Sequence, residues 1–150
     1  QAVAQALGEA LGTPGEVAAL RVSQAQPEQL TGIDLLIVGS PTQRFRATPA
    51  TSNWLKSIPA NSLKGVKVAA FDTRMTVQEI EATPVLPFFV RIFGYAAKPL
   101  ADQLKKKGGQ LIAPPEGFYV KGMEGPLLEG ELDRAANWAK QFAKEMQEAT

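Results

Sequence analysis

The stretch Asp34-Leu35-Leu36-Ile37-Val38-Gly39-Ser40-Pro41-Thr42 decides how the rest of the chain is read. Four consecutive apolar residues, Leu35 to Val38, show no alternation, so both faces of the strand they form must be covered. Strands of that kind lie inside parallel sheets that carry helices on both sides. After Gly39 the character changes: Ser40 to Ala47 reads as a polar loop, and Thr48-Pro49 supplies an N-cap and a first-turn proline. The helix that follows bears Trp54, Leu55 and Ile58 and stops before Pro59.

Toward the start of the chain, Val3, Leu7 and Leu11 recur at helical spacing with Ala4 and Ala10 beside them, and Gly12 closes the helix. Glu16 to Val22 is expected to be a short strand, and Pro27 to Leu30 a brief helix or turn. In the other direction, Val66 to Phe71 repeats the buried-strand pattern and ends at a loop, Asp72-Thr73-Arg74. Met75 to Pro87 fits no single element, and Phe88 to Lys107 is mostly helical, with Pro99 marking a kink or a new start before Gly108-Gly109. Gln110 to Ala113 and Gly117 to Val120 form one last strand interrupted by Pro114-Pro115. The final helix starts near Leu132, with Leu132, Ala135, Ala139, Phe142 and Met146 along one face. Alternation of strands and helices without repeat or linker predicts a single α/β domain over residues 1–150, with a parallel sheet.

Composition narrows the chemistry. The 150 residues include no cysteine and no histidine, which excludes disulfides, thiolate metal sites, a cysteine nucleophile and any histidine-based triad. Sixteen basic against fifteen acidic residues give +1, a field too weak to argue for nucleic acid or an anionic membrane as partner. No apolar run reaches the roughly 18 residues of a membrane span, and no signal-peptide pattern opens the chain, so a cytoplasmic protein is expected. Chemistry must then come from carboxylates, hydroxyls, Lys, Arg or Tyr, or from a bound cofactor that asks the protein for shape and electrostatics.

Ligands of open α/β sheets bind beyond the carboxyl ends of strands. That rule selects the loops after Val38, Phe71 and Val120. The first, Gly39 to Arg46, combines Ser40, Thr42, Gln43, Arg44, Phe45 and Arg46, a set suited to an aromatic, anionic ligand; the alternative is a solvated turn. In the second, Asp72 can accept hydrogen bonds from ring N–H groups or simply pair with Arg74. The third, Lys121 to Gly130, is turn chemistry. Trp54 and Trp138 are read as packing residues, Lys105 to Lys107 as cations at a helix C-terminus, and Glu129 and Glu131 as acids at a helix N-terminus.

The Asp34-to-Thr42 segment resembles the third strand and first flavin loop of flavodoxins and of the flavodoxin-like domains of larger redox proteins. The resemblance runs on through the strand ending in Asp72, the helix from Tyr95 to Gly109, a last strand, and the final helix opened by Glu129 to Trp138. It implies a three-layer α-β-α sandwich with a parallel sheet of order 2-1-3-4-5. It also implies a non-covalent FMN, held by Ser40, Pro41, Thr42, Gln43, Arg44 and Phe45 on one face and by Asp72, Thr73 and Arg74 on the other. Where the family stacks the ring between Trp and Tyr, this chain offers Phe45 alone, and arginines pointing at the ring would raise its reduction potential. The family's first strand and its phosphate loop have no counterpart in the sequence, and they are expected to precede Gln1. The function so implied is electron transfer to a redox partner protein or a small-molecule donor or acceptor. An FMN-dependent NAD(P)H:quinone-type reductase is the alternative, with the segment from Met75 to Phe89 shaping a substrate pocket, and a flavin-free binding module is the third reading.

Overall fold

The computed structural model describes residues 2–12, 17–41, 47–75, 96–121 and 126–148. Strand β1 (Leu35–Pro41) lies parallel to β2 (Lys67–Met75), in register from Leu35 against Lys67 to Pro41 against Thr73. On its other side β2 pairs, again in parallel, with β3 (Gln110–Leu111) and then with β4 (Glu116–Val120). These two are the one interrupted strand that Pro114-Pro115 predicts. Four residues, 112–115, stand opposite two of β2, Ala69 and Ala70, so the prolines bulge out of the ladder without ending it.

Among the described residues four helices cover the sheet: α1 (Ala2–Leu11), α2 (Pro49–Ser57), α3 (Ala97–Lys106) and α4 (Glu131–Glu148). Alternate residues of β2 sort them into two layers. Val68 and Ala70 point to one side, where they meet Leu55, Ile58, Leu100 and Leu104 from α2, α3 and the turn after α2. Ala69 and Phe71 point to the other, against Val3 and Leu7 of α1 and Ala135, Trp138 and Phe142 of α4. Each Leu, Ile or Phe removed from water here contributes about 1.5–3 kcal/mol. The outcome is the expected three-layer α-β-α arrangement.

Local chemistry explains the boundaries. Thr48 caps α2 through its hydroxyl, which accepts the Thr51 amide at 3.4 Å, and Pro49 occupies the first turn. Pro99 falls in the first turn of α3, where a missing N–H leaves no bond unmade, so it marks a helix start and not a kink. Gly108 (φ 104°) follows α3 in the left-handed region that ends helices. Gly39 serves a different purpose: a Cβ there would lie 2.0 Å from the Phe71 ring. The ring crosses β1 at that point and meets Phe118 and Trp138 edge-on, with centroids at 5.8 and 6.3 Å. Trp138 is thus a packing residue, as its sequence position suggests.

Several expectations change. Of the strand foreseen over Glu16 to Val22, the described residues 17–22 keep one bridge position, at Val17, and Val22–Gln24 turns as a 3-10 helix. Residues 18–20 belong to no strand among the described residues, and Leu20 stays 44% exposed. The observed order is β1-β2-β3, with β4 also paired to β2, and among the described residues no further strand pairs with β1. Both strands at the site run longer than foreseen: Ser40 and Pro41 belong to β1, and Asp72-Thr73-Arg74 to β2, because β4 supports residues 71–75 from the side. Finally, Leu132 does not lie on the buried stripe of α4. It is 44% exposed, and Glu131 takes the inward position.

Candidate functional site

Register brings the carboxyl ends of β1 and β2 together, with Ser40 beside Asp72 and Pro41 beside Thr73. Ser40 and Asp72 point to the α2/α3 side, the face shared by Val68 and Ala70. Each then holds the start of the helix that follows its strand. Ser40 Oγ accepts the Thr48 amide at 3.0 Å and donates to the Pro41 carbonyl at 2.9 Å. Asp72 Oδ2 accepts the Ala97 amide, the first residue of α3, at 2.8 Å. Two helix N-termini are therefore pinned to the same end of the sheet, and the chain leaves and re-enters the site at fixed points.

Asp72 has a second task. Its carboxylate receives Arg74 through Nε at 2.6 Å and Nη2 at 2.7 Å, a two-pronged ion pair on one face of β2. The guanidinium lies over Gly117 of β4, where a Cβ would come within 2.1 Å of Nε. Gly117 is what lets Arg74 fold back. With Asp72 at 0% exposure and its oxygens occupied by Arg74 and Ala97, the ion-pair reading of the sequence holds, and the carboxylate is turned inward.

Of the residues expected to contact a ligand, Ser40 is buried and committed to Thr48, Asp72 is committed as above, Pro41 is exposed, and Thr73 and Arg74 are half-buried. Thr42, Gln43, Arg44 and Phe45, with Arg46, lie outside the described residues.

A second polar cluster, which sequence reasoning missed, sits on the other face at β4. Glu131, the first residue of α4, accepts the Tyr119 amide at 2.7 Å and pairs with Arg134 at 2.7 Å. Arg134 also reaches Glu116 at 3.2 Å, bonds the Gly117 carbonyl, and stands 4.6 Å above the Phe118 ring. The bonds from Arg134 hold the Glu131 carboxyl below its ordinary value; burial opposes this, and the Tyr119 amide adds to it. The same pairing raises the Arg134 pKa. The signal available in the sequence was the Glu131/Arg134 spacing, which puts the two on one side of a helix.

Comparison with known proteins bears on the architecture. No protein-family profile matches the chain, and no curated protein sequence does. Solved structures do. A flavodoxin from the domain Archaea superposes with a TM-score of 0.71 at 15% identity, covering 97% of this chain and 89% of that one. The chain has the flavodoxin-like fold. Oxidised flavodoxin 2 from Bacillus cereus gives 0.69 at 20% identity, with 96% and 89% covered. Rubredoxin oxygen:oxidoreductase from the anaerobe Desulfovibrio gigas gives 0.67 at 20% identity, covering 97% of this flavodoxin-like chain and 32% of that larger one. Among the described residues no helix is long and apolar enough to cross a membrane.

Proposed function

We propose that this chain is a flavodoxin-like electron-transfer protein that holds FMN without a covalent bond at the carboxyl ends of β1 and β2. The observation that carries the reading is the pair of helix starts tied to Ser40 and Asp72 at that end of a parallel sheet. The placement is where open α/β sheets take their ligands, and it turns the positive ends of two helices toward one mouth.

Bound FMN supplies one- and two-electron transfer; the protein supplies position and polarity. In this reading Arg74, kept in place by Asp72 and Gly117, lies beside the ring. Pro41, Thr42, Gln43, Arg44 and Phe45 cover the face on the β1 side. Ser40 acts one step away, by holding Thr48 and so the end of that loop. Electrons are exchanged with a redox partner protein or a small-molecule donor or acceptor.

The test is FMN uptake by the full-length protein, followed by quenching of flavin fluorescence. One FMN per chain is expected, with affinity lowered about tenfold by Arg74→Ala, the loss of one charge-assisted contact. Failure to take up added FMN, in protein that is folded by circular dichroism, overturns the proposal and favours a flavin-free binding module. Rapid NAD(P)H consumption with a quinone by the FMN-loaded protein would make it a reductase.

A further inference from the structure

One side of β4 pairs with β2, and its other side carries the backbone groups that a neighbouring strand would bond. Each of those groups, from Gly117 to the Lys121 amide, is already engaged. The Gly117 N–H donates to Glu116 Oε1 at 2.9 Å, and the Gly117 carbonyl accepts from Arg134 Nη2. The Tyr119 N–H donates to Glu131 Oε2 at 2.7 Å, and the Tyr119 carbonyl accepts the Leu128 amide at 3.0 Å. The Lys121 N–H donates to the Pro126 carbonyl at 2.9 Å. The upper half of the edge is closed by backbone of the returning segment, with Val120 bridged antiparallel to Leu127. Among the described residues, the lower half is closed by side chains.

Glu131 and Arg134 lie one turn apart on α4 and present an acceptor and a donor to successive outward groups of β4. That alternation is what a paired strand offers. We propose that Glu131 and Arg134 act as a surrogate strand that shuts the β4 edge against pairing with a second copy of this chain. The protected segment is one that needs protection: Phe118, Tyr119 and Val120 are aromatic and β-branched, the residue types that favour strand addition. Like edges meeting antiparallel about a two-fold axis make a closed pair, so the partner excluded is an identical β4. Glu116 and the Phe118 ring hold the Arg134 guanidinium at the edge. The device is independent of any cofactor.

The experiment compares wild type with the double variant Glu131→Leu/Arg134→Met in the full-length protein, a change that leaves the net charge as it is. Sedimentation velocity over a concentration series, with circular dichroism to confirm folding, is expected to give an associated species absent from wild type. Hydrogen exchange at the Tyr119 amide should quicken by at least about tenfold. Adding Tyr119→Pro, which removes the outward N–H, should abolish the association. A folded double variant that sediments like wild type overturns the proposal, as does association that survives Tyr119→Pro. If the double variant does not fold, Arg134→Met alone decides: its side chain is 38% exposed in wild type, and it opens the Gly117 carbonyl to the same association test.

Discussion

A carboxylate removed from water must be matched by donors, and Asp72 has them from two elements far apart in sequence. Arg74 lies two residues on along the same strand, and the Ala97 amide opens a helix 25 positions away. Removing the carboxylate takes an acceptor from both. Arg74, with a side chain only 19% exposed, loses the two bonds to Asp72, and the Ala97 N–H loses its acceptor. Asp72→Ala is therefore expected to lower stability by about 3–5 kcal/mol, the range for breaking a buried pair from one side. Urea denaturation measures this, and a loss below about 1 kcal/mol would mean the pair is not a structural clamp. Asp72→Asn should fall between the two, because an amide can still accept one of the bonds. Half of this arrangement was readable beforehand. The pairing of Asp72 with Arg74 stands in the sequence as one of two alternatives, for a segment that reads there as a loop. Its hold on α3 does not, since Ala96 and Ala97 carry no capping signature and the long separation hides the contact.

At the scale of elements, a helix start is as firm as the group that fixes it. Thr48 closes α2 with its own hydroxyl, which meets the Thr51 amide and hydroxyl, while its backbone N–H is held by Ser40. Thr48→Ala removes the first set and keeps the second, so it is expected to cost about 1 kcal/mol in a thermal or urea midpoint. A change of 3 kcal/mol or more would show that the cap also supports β1. This start was legible because capping is local: Thr48-Pro49 states it in two letters. Strand ends were less so. Nothing in Asp72-Thr73-Arg74 marks it as strand, and it becomes strand because β4, more than 40 residues on, pairs beside it. Helix α4 misled for a subtler reason. Its buried residues Ala135, Trp138, Ala139 and Phe142 fit a stripe begun by either Glu131 or Leu132. Hydropathy picks Leu132, and the open edge of β4 picks Glu131. The loop residues Thr42 to Phe45 were selected by placement after a buried strand, and they lie outside the described residues.

Seen as a whole, the molecule is two apolar layers either side of one sheet, and the layers are locked differently. The α2/α3 side is closed at the mouth by Ser40 and Asp72, both buried. The α1/α4 side is closed at the β4 edge by the Glu131–Arg134 pair, which is partly open to solvent. The fold class was legible at this scale because alternating buried strands and amphipathic helices leave few other architectures. The locks were not, since each joins side chains to backbone across the tertiary structure. They differ in one measurable respect. Glu131 has a carboxyl held below its ordinary value by Arg134 in the folded chain, so the folded state binds that proton more weakly than the unfolded state does. Its contribution is complete above the usual carboxylate range and is lost as pH falls through the lowered folded value. Stability measured by urea should therefore fall on acidification below about pH 4.5, and Glu131→Gln, which cannot ionise, should flatten that fall while lowering stability at neutral pH. An unchanged acid slope in Glu131→Gln would mean that the α1/α4 layer holds without the charge, and that α4 is fastened by Trp138 and Phe142 alone.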